Sequence, residues 1–100
     1  MIVILSRRAE TELEGIGDHI AESNPHRAFS FVHELRQSCA ELAVMPERFP
    51  LVRRYERYRI RRRIHGNYLI FFQIDAGTIH VLHILHGAMR YETILDFKLR

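Results

Sequence analysis

Apolar positions recur at helical spacing along the first half of the chain and at strand spacing along the second. Met1-Ile2-Val3-Ile4-Leu5 is an apolar run that ends at Ser6-Arg7-Arg8. It predicts a buried strand, because it is too short to span a membrane and lacks the basic lead-in of a signal peptide. Ser6 can cap a helix whose opening turns carry Glu10 and Glu12, and Ala9, Leu13, Ile16 and Ile20 fall on one face of it. Ser23-Asn24-Pro25 interrupts this pattern, with Asn24 placed to cap and Pro25 to open a second helix whose stripe is Ala28, Val32, Leu35, Cys39 and Leu42. So short a link predicts an antiparallel helical hairpin.

Met45-Pro46 ends the second helix, and Phe49-Pro50 marks an irregular connection. From about Tyr58 the period becomes that of a strand. The turn signals His65-Gly66-Asn67 and Asp75-Ala76-Gly77 divide the remainder into strands over Tyr58–Ile64, Tyr68–Ile74 and Thr78–Leu85. The middle strand, Tyr68-Leu69-Ile70-Phe71-Phe72-Gln73-Ile74, is apolar on both faces, as expected of a central strand. The predicted order is β-α-α-β-β-β: one α+β domain over residues 1–100, with a helical hairpin on one face of a mainly antiparallel sheet. The sheet's second face then needs cover from a loop, the C-terminal tail or a partner.

Charge is divided unevenly. Residues 1–47 carry four basic and eight acidic side chains, whereas residues 48–100 carry eleven basic and four acidic. Eight arginines lie between Arg48 and Arg63 against one acid, Glu56; the guanidinium fork suits phosphate or carboxylate. A single cysteine, Cys39, leaves no internal disulfide and no multi-cysteine zinc site, which fits a cytoplasmic protein. Soluble composition and the shortness of the apolar runs exclude a membrane partner.

In Tyr58-Arg59-Ile60-Arg61-Arg62-Arg63-Ile64, alternation puts Arg59, Arg61 and Arg63 on one face and Tyr58, Ile60 and Ile64 on the other. Arg62 falls among the apolar residues and is expected to reach the rim or to pair with Glu92 or Asp96. His80, His83 and His86 are evenly spaced, but regular alternation turns His83 away from the other two, so no metal site is expected, and no cofactor. A metal-free ribonuclease needs a base, an acid and cations for the phosphorane charge. His83 or His86 with Arg61, Arg63, Arg90 and Tyr91 would supply those residue types; the alternative is that the histidines are half-buried strand residues and that Tyr91 packs the C-terminal segment.

The run Tyr68–Ile74, the turn at Asp75-Ala76-Gly77, the strand Ile79-His80-Val81-Leu82-His83-Ile84-Leu85-His86-Gly87, and then Arg90-Tyr91-Glu92 with Ile94-Leu95 resemble the end of ParE-like toxins of the RelE/ParE superfamily. The likeness extends upstream through Pro46, Phe49-Pro50 and the arginine-rich strand, over nearly the whole chain. It implies the toxin of a type II toxin–antitoxin system. Its expected partner is a cognate ParD-like antitoxin with a DNA-binding N-terminus and a flexible C-terminal segment. Leu85-His86-Gly87 and Arg90 look more like ParE members, which poison DNA gyrase, although Ala88-Met89 before Arg90 departs from the common spacing. Arg59, Arg61, Arg63, His86 and Arg90 are then the expected contacts to target or phosphate. The alternative is a RelE-like, ribosome-dependent mRNA endonuclease, with His83 or Tyr91 moving protons and Arg61 and Arg63 on the phosphate. A third reading is a folded remnant that still binds antitoxin.

Overall fold

A computed structural model describes the backbone through residue 99 and the side chains through Asp96. Strand β1 (Ile2–Leu5) leads into helices α1 (Arg7–Ala21) and α2 (Pro25–Ala40), and three strands follow: β2 (Arg61–His65), β3 (Tyr68–Asp75) and β4 (Thr78–His86). A last helix, α3 (Tyr91–Leu99), closes the described chain. The sheet order is β1-β4-β3-β2, with β1 parallel to β4 and the other pairs antiparallel.

The helix ends obey local rules. Ser6 accepts the Ala9 N–H at 3.0 Å, and Asn24 accepts that of Arg27 at 3.0 Å with Pro25 in the first turn. Gly17 sets how closely the helices approach, since a Cβ there would lie 2.9 Å from Val32 Cγ2. The hairpin buries Ala9, Leu13, Ile16, Leu35, Cys39 and Leu42 against Ile70, Phe72, Ile79, Val81 and Ile84 of the sheet. Burial pushes the Cys39 thiol up to about 11.

Four expectations need correction. The last helix was not anticipated: the element order gains α3, which lies with the segment 52–60 over the second face of the sheet. Val52, Tyr55, Ile60 and Leu95 pack there on Leu69, Phe71 and Leu85, so the cover that the apolar central strand requires comes from the chain itself. The strand expected from Tyr58 begins at Arg61, because Glu56–Tyr58 forms a 3-10 turn that Arg59 ends in the left-handed region at φ 57°. Ile64, expected on an apolar face, is 61% exposed. Arg62 lies opposite Phe71 in the ladder, and among the described residues it forms no ion pair with Glu92 or Asp96. Those two residues receive Tyr55 instead, whose Oη donates to the Asp96 carboxylate at 2.6 Å and to the Glu92 carbonyl at 3.3 Å.

Candidate functional site

The arginines of β2 follow the pleat. Arg61 and Arg63 share one face, but it is the helix-facing one, since they lie opposite Phe72 and Ile70. At the sheet edge, beyond the helices' full cover, Arg61 Nη1 donates to the carbonyls of Phe49 at 2.7 Å and Glu47 at 3.1 Å. Arg63 Nη1 donates to the Ser38 carbonyl at 2.9 Å and pairs with Glu41 at 3.0 Å, its guanidinium 5.3 Å above the Phe49 ring. Both cations therefore satisfy carbonyls at the end of α2 and in the connection that follows. Arg59 lies outside the strand and is exposed.

The histidines of β4 are rearranged by a bulge. Phe71 pairs with His83 and Phe72 with Val81, so Leu82 has no partner and the alternation slips by one. In consequence His80 and His83 share the second face, and His86 is returned to the helix-facing side, where its ring meets Tyr68 edge-on at 5.2 Å. This corrects the expected facing of His83, which assumed an unbroken strand. Among the described residues no group of histidine, cysteine or acidic side chains could hold a metal ion.

Beyond Leu5 strand β1 no longer covers the edge of β4, and α1 takes over. Ser6 donates its N–H to the Val81 carbonyl at 2.9 Å and its hydroxyl to that of Leu82 at 2.9 Å. Glu12 then accepts the Ile84 N–H on one carboxylate oxygen at 2.9 Å and meets His83 Nδ1 with the other at 2.9 Å. His83 is 1% exposed, and its Nε2 is buried with no hydrogen-bond partner. Glu12 was missed as a functional candidate, although the sequence carries a sign of it. An acid three residues after Ala9 and four before Ile16 stands on the apolar stripe, where an unpartnered charge is costly.

Tyr91 opens α3, half-buried, with its ring 5.0 Å from that of Phe71. His86 and Arg90 are exposed at the end of β4 and in the turn that follows, where His86 Nδ1 accepts the Ala88 N–H at 3.0 Å. An open hollow of about 430 Å³ adjoins His86, lined also by Glu12, Ile16, His19, Tyr68 and Met89 among others. Arg59 precedes the opposite end of the sheet: Arg61 aligns with Phe72, and His86 with Tyr68, four residues apart on β3. At a strand rise of about 3.3 Å per residue, this separates the two ends by roughly 13 Å. The fold thus brings His86 to Arg90, and it keeps Arg61 and Arg63 two strands away from His83 and on the other face.

A serine–histidine–acid arrangement lies at the β2 end of the sheet. Ser38 Oγ contacts His65 Nδ1, and His65 Nε2 stands 4.0 Å from Glu34, which Arg27 already holds at 2.7 Å. Ser38 is only 4% exposed, so its hydroxyl cannot meet a substrate and the group joins β2 to α2.

No curated protein matches the sequence. A solved structure titled "Chromosomal ParDE TA system from P. aeruginosa" superposes with a TM-score of 0.74 over 86% of this chain and 95% of that one, at 20% identity. At that identity the likeness speaks for the fold, and it agrees with the α+β architecture of helices on a four-stranded mixed sheet. Sequence carries the rest: residues 3–91 match the family described as "ParE toxin of type II toxin-antitoxin system, parDE", so this chain belongs to the ParE toxins of type II toxin–antitoxin systems.

Proposed function

We propose that this toxin acts by binding, with DNA gyrase as its target, and that a cognate antitoxin neutralises it. The observation that carries a binding rather than a cutting role is the state of the ribonuclease candidates. His83 is buried against Glu12, and Arg61 and Arg63 are held by backbone carbonyls on the opposite face. General acid–base catalysis needs its groups within hydrogen-bond reach of one substrate. Exposed Arg59, His86 and Arg90 are in contrast free to meet a macromolecular target.

Antitoxin capture is supported by apolar surface on the helical hairpin and on the first strand. Phe29 is 81% exposed beside a groove that includes Gly17, Ala28 and Val32, and Ile2 and Ile4 are exposed on β1, the edge strand whose outer side has no neighbouring strand among the described residues. An extended or helical segment with apolar anchors suits such surfaces. The protein neighbour described above comes from a ParDE system, which accords with this reading.

Supercoiling of relaxed plasmid by gyrase tests the target directly. We expect the purified toxin to inhibit it, stoichiometric antitoxin to restore it, and the double variant Arg90→Gln/His86→Gln to inhibit at least tenfold more weakly. Full gyrase activity at toxin in large excess would refute the assignment.

A further inference from the structure

The segment from Val52 to Ile60 is closed on itself: the Val52 N–H donates to the Ile60 carbonyl at 2.8 Å, and the Tyr55 and Tyr58 N–H groups turn back to Val52 and Tyr55 at 3.0 and 3.1 Å. Val52, Tyr55 and Ile60 are buried beneath it. A short loop with joined ends and inward anchors is a compact Ω-type loop that presents its other side chains together. Those are Arg53, Arg54, Arg57 and Arg59, all exposed, with Glu56 as the one acid among them. Among the described residues none of the four arginines takes part in an ion pair.

Backbone conformation adds an independent observation. Arg54 and Arg59 hold φ of 80° and 57°, the region in which glycine sits without strain and a side chain does not. Strained residues of this kind gather where the side chain is needed for binding.

We propose that this loop is a binding site for the phosphate backbone of duplex DNA, read without regard to sequence. Arginine forks match phosphate oxygens. Protein interfaces have an apolar centre, whereas here Val52, Tyr55 and Ile60 are turned inward. Single strands are held by bases stacked on open aromatic rings, and the exposed ring of Tyr58 is occupied by the Arg57 guanidinium, 5.3 Å from its centroid. An exposed loop carrying four arginines against one acid, Glu56, fits the outside of a duplex.

The site needs no gyrase, so it is tested in its absence by fluorescence anisotropy of the purified toxin with a short labelled duplex of scrambled sequence. With about four phosphates neutralised, log Kobs against log salt should fall with a slope of roughly −3 to −4. Arg54→Gly/Arg59→Gly should bind at least tenfold more weakly and lose about 2 from that slope, while melting no lower than the parent, since glycine accepts both backbone conformations. Arg53→Gln/Arg57→Gln, which leaves the strained positions alone, should weaken binding alike, and exposed Arg7→Gln/Arg8→Gln should not. Unchanged affinity in the loop variants, equal loss in the Arg7/Arg8 variant, or more effective displacement of the duplex by single-stranded RNA or polyglutamate would each overturn the proposal.

Discussion

Glu12 does more for this fold than its place near the start of a helix suggests. Its two carboxylate oxygens serve two groups on the edge of β4 that β1 leaves uncovered, the Ile84 N–H and the His83 ring. Glu12→Ala leaves both without an acceptor in a buried setting, where each unsatisfied group costs about 1–3 kcal/mol. Urea denaturation should therefore show a loss of about 2–4 kcal/mol, with Glu12→Gln losing less; a loss below about 0.5 kcal/mol would mean that water replaces the carboxylate. Cys39 offers a second residue-level check. Its thiol is 1% exposed and pushed up to about 11 by burial, and the thiolate is the reactive form. A thiol reagent at pH 8 should label it only as fast as the protein unfolds, and rapid native-state labelling would contradict the packing. The acid at position 12 was visible in the sequence but read as a partner of the helix dipole. Its actual role depends on an edge of β4 that exists only once the strands are ordered.

Among the elements, the paired helices, the central strand and both hairpin turns were legible from local pattern, because each buries one stripe and is bounded by Ser6, Asn24-Pro25 or a Gly-containing turn. What could not be read was set by tertiary contact. Alternation in β4 hid the bulge at Leu82, since a slip in register leaves no mark in a strand apolar on both faces. The sequence from Tyr91 shows only a weak helical stripe, and its helix is fixed to the sheet by Leu95 and by the Tyr55–Asp96 hydrogen bond. Burial and that bond hold the Tyr55 phenol up to about 12. A group raised in the folded state contributes stability that is complete below its unfolded value, near 10 for tyrosine, and is lost as pH rises toward the folded value. Tyr55 should thus titrate late in ultraviolet absorbance, its ionisation accompanied by loosening of α3, and Tyr55→Phe should abolish the late phase. A titration without a late phase assignable to Tyr55 would contradict the tether. In the helical hairpin, Gly17→Val must push Val32 aside, and overpacking of this kind costs about 1–3 kcal/mol; an unchanged midpoint in thermal unfolding would show that the helices are free to separate.

At the scale of the whole molecule, the uneven charge becomes a division of surfaces. The acidic part of the sequence forms β1 and the helical hairpin, with its exposed apolar groove, and the basic part forms the arginine loop and the sheet. On the proposed reading antitoxin and target bind at separate places, and hydrogen exchange in the toxin–antitoxin complex should slow within residues 1–45 relative to the free toxin. No added protection there would count against capture on the hairpin. In the sequence the arginine-rich stretch reads as a row of phosphate contacts, but only folding divides it: Arg61 and Arg63 serve backbone carbonyls, while Arg53, Arg54, Arg57 and Arg59 stay exposed. The toxin is proposed to work by engaging gyrase and not by cutting RNA. This is tested most directly by giving one preparation of toxin both gyrase with plasmid and a translating ribosome with labelled message. Inhibited supercoiling or trapped double-strand breaks with the message intact is the predicted result; message cut at the ribosome, with gyrase unaffected and the cutting lost in His83→Gln or Arg61→Gln, would contradict it.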